Sequence, residues 1–132
     1  MNSKQLIAGI KRVCRENYVD PKDVTINYRH DYNSDIWCIQ GVQLVVTEAT
    51  DGFTAQVTRH INGKGGITGL QLIDRLKRQC RNRNLEPEKV RAEFRYVSGH
   101  SYPIRSVEED CFDAESNSVL ETLILVTDTS NK

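Results

Sequence analysis

Four cysteines, three histidines, one acidic run and two basic helix faces are the parts of this 132-residue chain whose types and spacing could do chemistry. The cysteines are Cys14, Cys38, Cys80 and Cys111, and none belongs to a C-x-x-C pair. Structural zinc needs four converging ligands, usually supplied in closely spaced pairs, so this spacing argues against a metal site. Cys14 and Cys80 fall on apolar helical stripes, where a thiol packs as a small hydrophobe. His30, His60 and His100 are scattered, and no G-x-S-x-G elbow or comparable frame accompanies them. The segment Gly63-Lys64-Gly65-Gly66 lacks the spacing of a phosphate-binding loop. These residues therefore predict no catalytic residue, no cofactor and no enzyme.

The acidic run comprises Glu108, Glu109, Asp110, Asp113, Glu115 and Glu121, with no basic residue among them. Asp113-x-Glu115-x-Asn117 opens like a calcium loop. Ser118 then stands where that loop needs glycine, and Ile124 where it needs its last carboxylate. A polar hairpin with a solvated acidic face is the plainer reading. Whether hairpin 108–115 holds a divalent ion stays open, and a metal-dependent enzyme there is the third functional alternative.

The basic helix faces are the stronger lead. Lys11, Arg12 and Arg15 share one arc of a helix, and Lys77, Arg78 and Arg81 repeat it at the same wheel angles, with Arg75 and Arg83 added. Arg75 through Arg95 holds eight basic and three acidic residues, a local excess on a chain whose 18 basic and 18 acidic residues cancel. The candidate binding residues are thus Lys11, Arg12, Arg15, Lys77, Arg78, Arg81 and Arg83. Such a face can meet phosphates, an acidic protein or only water. Zero net charge, and no clear interleaving of exposed aromatics, favour an acidic protein surface over nucleic acid.

The elements that position these residues follow from an internal match. Sliding the chain on itself by 66 positions gives ten identities in residues 5–29 without a gap. Gln5-Leu6-Ile7 falls on Gln71-Leu72-Ile73, Lys11-Arg12 on Lys77-Arg78, Cys14-Arg15 on Cys80-Arg81, and Pro21, Val24 and Arg29 on Pro87, Val90 and Arg95. Later, Val57-Thr58 can be laid on Val126-Thr127. The sequence predicts repeats at 1–61 and 67–132 joined by a Gly-rich linker, 62–66.

Each repeat opens with a helix. Asn2 and Gln5, like Thr68 and Gln71, have capping-box spacing. Leu6, Ile7, Ile10 and Cys14 form one apolar stripe, and Leu72, Ile73, Leu76 and Cys80 the other. A strand with alternating apolar residues follows at Val24–His30 and Val90–Tyr96. Hairpins are expected at Ile36–Val46 with Phe53–Ile61, and at Ile104–Phe112 with Val119–Thr127, with bulges near Gly41 and Ser106. The predicted fold class is α+β: a tandem α-β-β-β duplication, each unit a helix on a three-stranded antiparallel sheet. Leu44–Val46 and Leu123–Val126 are apolar at both parities, which a strand buried on one face does not need. The units are therefore expected to pack as an intrachain pseudo-dimer with six strands, and a homodimer is a further option.

No stretch of about 18 apolar residues suggests a membrane span, and the N-terminus lacks signal-peptide features. The expectation is a cytoplasmic protein with reduced thiols and no membrane partner. Gln71-Leu72-Ile73-x-x-Leu76-Lys77, Pro87-x-x-Val90 and Tyr102-Pro103-Ile104-x-x-Val107-Glu108-x-Asp110 together resemble a pattern of small, largely uncharacterised α-β-β-β repeat proteins of phages and mobile elements. The resemblance implies an accessory role, in some members blocking host defences, and carries no catalytic residue across. The functional expectation is a non-enzymatic protein-binding module; the alternative is a nucleic-acid binder using the paired basic helices.

Overall fold

The computed structural model describes residues 1–29, 36–38, 43–49, 52–58, 67–95, 101–109 and 122–127. The linker 62–66, the three histidines, Gly41, and Asp110, Asp113, Glu115 and Glu121 lie outside the described residues.

Helix α1 spans Ser3–Glu16 and α2 spans Gly69–Asn82. Both start at the expected capping boxes. The Gln5 amide donates to Asn2 Oδ1 at 2.8 Å, and the Asn2 amide donates to Gln5 Oε1 at 2.8 Å. Thr68 and Gln71 exchange the same two bonds at 2.9 and 3.1 Å. These bonds satisfy amides that a helix start leaves without partners. Both helices also end alike. Tyr18 and Asn84 take left-handed φ values of 56° and 54°. The next amides, of Val19 and Leu85, donate back to the Cys14 and Cys80 carbonyls at 3.0 and 2.8 Å. That is a Schellman exit. Val19 and Leu85 pack against the core, completing it with an apolar contact. Single 3₁₀ turns, Pro21–Asp23 and Pro87–Lys89, then lead into strands.

Seven strands follow: β1 (Thr25–Arg29), β2 (Ile36–Cys38), β3 (Gln43–Ala49), β4 (Gly52–Thr58), β5 (Val90–Arg95), β6 (Ser101–Glu109) and β7 (Thr122–Thr127). They form one sheet in the order β2-β1-β7-β6-β5-β4-β3. β1 with β7 and β4 with β5 are parallel, and the other neighbours are antiparallel. The class is α+β, but the expected three-stranded antiparallel sheets are not separate bodies. The parallel pairings join the last strand of each half to the first strand of the other. Interior position explains the composition of β7: held between β1 and β6, it has Leu123 through Thr127 all buried. Leu123 and Leu125 join the main core, whereas Ile124 and Val126 alternate with them to the opposite face.

The count is seven rather than six because the expected strand 36–46 is two strands with different neighbours. β2 pairs with β1 and β3 with β4. Continuous β6 makes both kinds of pairing alone, through Ser101–Pro103 to β5 and through Ile104–Glu109 to β7. Its register shifts between Ile104 and Ser106, as expected for a bulge there. The match of Val57-Thr58 to Val126-Thr127 is off by one residue. Thr58 pairs with Arg95 and Val126 with Arg29, so Thr58 corresponds along the sheet to Val126.

The helix starts are also tied across the halves. The Ile26 amide donates to the Ile67 carbonyl and the Gly69 amide to the Val24 carbonyl, both at 2.9 Å, while the Ala92 amide donates to the Met1 carbonyl at 3.0 Å. α1 packs on β6 and β5, and α2 on β3 and the Pro21–Asp23 turn. One core results, in which Leu6, Ile10, Val24, Ile26, Leu72, Leu76, Val90 and Phe94 are buried as the apolar periodicity predicts.

Candidate functional site

Burying one stripe of each helix leaves the charged arc outside. Lys11, Arg12, Arg15, Lys77, Arg78, Arg81 and Arg83 are all exposed, and Arg83 occupies the C-cap of α2. Arg75, which enlarges the second arc in the sequence, is half-buried. The two helices together carry eight basic and two acidic residues, so the rest of the neutral chain is net acidic. Charge is segregated by element rather than by half.

The two arcs meet. Lys11 and Lys77 occupy matching places on α1 and α2, and their ammonium groups are neighbours across the helix pair. The Lys77 side chain, a hydrogen-bond donor beside Lys11, favours the neutral form of Lys11. The Lys77 charge and slight desolvation act in the same direction, so the Lys11 ammonium is held below its ordinary value of 10.5. Two like charges kept this close are a feature that a bound anion relieves. Arg78, Arg81 and Arg83 have no ion-pair partner among the described residues.

The surroundings of the remaining cations differ. Lys77 also borders a small apolar recess of about 310 Å³ with Ile7, Pro87, Glu86 and Glu88, so carboxylates flank this end of the arc. Lys4 lies across it, 3.8 Å from Glu88, in an ion pair exposed on both sides that contributes little to stability. Arg12 and Arg15 turn the other way, toward β6, where Arg105 lies opposite them. Sequence reasoning missed Lys4 and Arg105, because each is a single charge whose relevance depends on which elements become neighbours.

It also missed Tyr18. This residue is 96% exposed just beyond the last turn of α1 and adopts a backbone conformation that bulky side chains rarely take. The signal was faint: the motif wants glycine or asparagine at the left-handed position, and Asn84 supplies it in α2 while Tyr18 does not.

Cys14 and Cys80 sit in the core as reduced thiols. Burial pushes both above their ordinary value of 9.0, and the Asp20 charge adds to the shift at Cys14. Neither is poised as a nucleophile, which requires the thiolate. Glu108 and Glu109, the described part of the acidic run, are exposed on the end of β6. No helix among the described residues is long and apolar enough to cross a membrane. Comparison with protein-family models, curated proteins and solved structures finds no match to the chain.

Proposed function

We propose that the chain is a duplicated, non-enzymatic binding module that docks an acidic protein surface on its helix layer. The observation that carries this reading is the exposed basic arc of α2, where Arg78, Arg81 and Arg83 have no ion-pair partner among the described residues and Lys77 stands beside Lys11 of α1. The matching caps, exits and 66-residue spacing support a duplicated origin, and the two parallel strand pairs support a pseudo-dimeric arrangement. The buried, protonated cysteines support a binding role over a catalytic one. An accessory protein of a phage or mobile element, acting in the cytoplasm, is the setting that fits this reading. The second reading is nucleic-acid binding, and exposed Tyr18 at the end of basic α1 favours it, since an aromatic ring can stack on a base.

The test is capture of a partner from host extract with and without nuclease, followed by affinity measurements on two charge-reversal variants. Arg78→Glu with Arg81→Glu should weaken binding by about tenfold or more, mostly through slower association, with the thermal melt unchanged. Arg12→Glu with Arg15→Glu should weaken it less, because α2 carries the additional Arg83. Unchanged affinity in the α2 variant would move the interface off the helices. Binding that survives only with nucleic acid, and falls steeply with added salt, would establish the second reading instead.

A further inference from the structure

A groove of about 670 Å³ runs between α1 and β6. Arg12 and Arg15 reach it from the helix and Arg105 from the strand. Its base is tight: a Cβ added to Gly9 would stand 3.2 Å from Val107 Cγ2, so glycine lets the helix settle close to the sheet. Arg105 is the extra residue of the β6 bulge, between Ile104, which pairs with Thr127, and Ser106, which pairs with Val126. A bulge re-aims the side chains beside it, and such features are common next to functional sites. Ser106 follows Arg105 and lines the same groove, while its side chain, paired with Val126, belongs to the opposite face of the sheet. Among the described residues lining the groove, none is acidic.

We propose that this groove binds a small phosphorylated molecule of nucleotide size. Three guanidinium groups, approaching from two elements, match the several oxygens of a phosphate or diphosphate group, which guanidinium forks hold in bidentate fashion. A single carboxylate would use one such fork. Ala8, Gly9 and Val107 offer an apolar surface to the uncharged part of the ligand. The volume lies within the range of small-molecule sites, about 300–1,000 Å³. Among the described residues the site occurs once. Arg78 and Arg81 repeat Arg12 and Arg15 on α2, but α2 packs on β3 (Gln43–Ala49), where the residue in register with Ser106 is Gln43. No arginine stands there to match Arg105. This inference stands apart from the docking reading, which rests chiefly on α2, and it is tested without any protein partner.

The test is calorimetric titration of the full chain with ADP and with inorganic pyrophosphate at about 150 mM salt, where diffuse surface attraction is screened. One ADP should bind per chain, and pyrophosphate should compete with it. Arg105→Gln and the pair Arg12→Gln with Arg15→Gln should each weaken binding by about tenfold or more. Arg78→Gln with Arg81→Gln should leave it within about twofold, as expected of a distant site. Each variant is read beside its thermal melt; if Arg105→Gln does not fold, the α1 pair carries the same expectation. Absence of saturable binding by both probes would overturn the proposal. So would equal weakening by the α1 and α2 pairs, which would reduce the effect to general positive charge.

Discussion

Tyr18 and Asn84 occupy the same left-handed position after their helices, yet only asparagine suits it. An L-residue with a large side chain pays about 1–2 kcal/mol there. Tyr18→Asn should therefore stabilise the protein by about 0.5–1 kcal/mol in a denaturant melt, since it relieves strain and removes an almost fully exposed ring. If the ring stacks on a ligand, the same variant binds more weakly while melting later. That separation would show a strained residue kept for contact. The cysteines give the opposite kind of prediction. Their folded values lie above the ordinary 9.0, so above that pH the unfolded chain loses protons that the folded chain retains. The contribution is fully present below about pH 9 and is lost as pH rises toward the folded values. Denaturation midpoints should accordingly fall as pH rises above about 9, and thiol reagents should reach Cys14 and Cys80 only on unfolding. Burial of these two residues was legible in the sequence because they fall on stripes set by Leu6, Ile10, Leu72 and Leu76. The strain at Tyr18 was not, because nothing in a tyrosine codon position announces a Schellman exit.

At the scale of elements, the parts written in local chemistry were readable and the parts written in pairing were not. The helices, their capping boxes and the first strands all follow from residues within a few positions of one another. The break between β2 and β3 does not, because it is decided by neighbours: β1 on one side and β4 on the other. The apolar run Leu123–Val126 correctly announced a strand buried on both faces, but not that its parallel neighbour would be β1. The groove beside Arg105 was unreadable for the same reason, since its walls come from residues more than ninety positions apart. Fit between elements is testable at Gly69. A Cβ there would lie 3.1 Å from the Pro21 carbonyl oxygen and 3.2 Å from Ile10 and Val24 methyl groups. The matching residue of α1 is Ser3, which is fully buried, so a Cβ is accommodated at one helix start and crowded at the other. Gly69→Ala should cost about 1–3 kcal/mol despite the better helix propensity of alanine. A stabilised variant would show that the α2 start can shift away from the Pro21 turn.

The whole molecule is joined by what each half takes from the other. β1 lies beside β7 and β5 beside β4, so every first strand has its parallel neighbour in the opposite half. The chain before each helix is pinned there too, Asn2 against Arg91 and Thr68 against Thr25. A half of about 65 residues is already near the size at which one core is marginal, and here it would also lose its parallel strand and expose Ile26, Phe94 or Leu125. The protein should therefore behave as one cooperative unit, although its sequence reads as two. Fragments 1–61 and 67–132 prepared separately should give no cooperative thermal transition as monomers, and mixing them should restore one, with a midpoint that rises with fragment concentration. The alternative outcome is a fragment that folds alone with native-like protection of its first strand in hydrogen exchange. That would mean the antiparallel pairs within a half suffice, and that the parallel pairs are contacts between finished domains. The distinction bears on the proposed binding surface as well. Lys11 and Lys77 come from different halves, so the joined cationic face exists only when the halves are interlocked. Restored folding on mixing should accordingly bring back binding to the partner at the same fragment concentrations, and each fragment alone should bind no more tightly than the Arg78→Glu with Arg81→Glu variant.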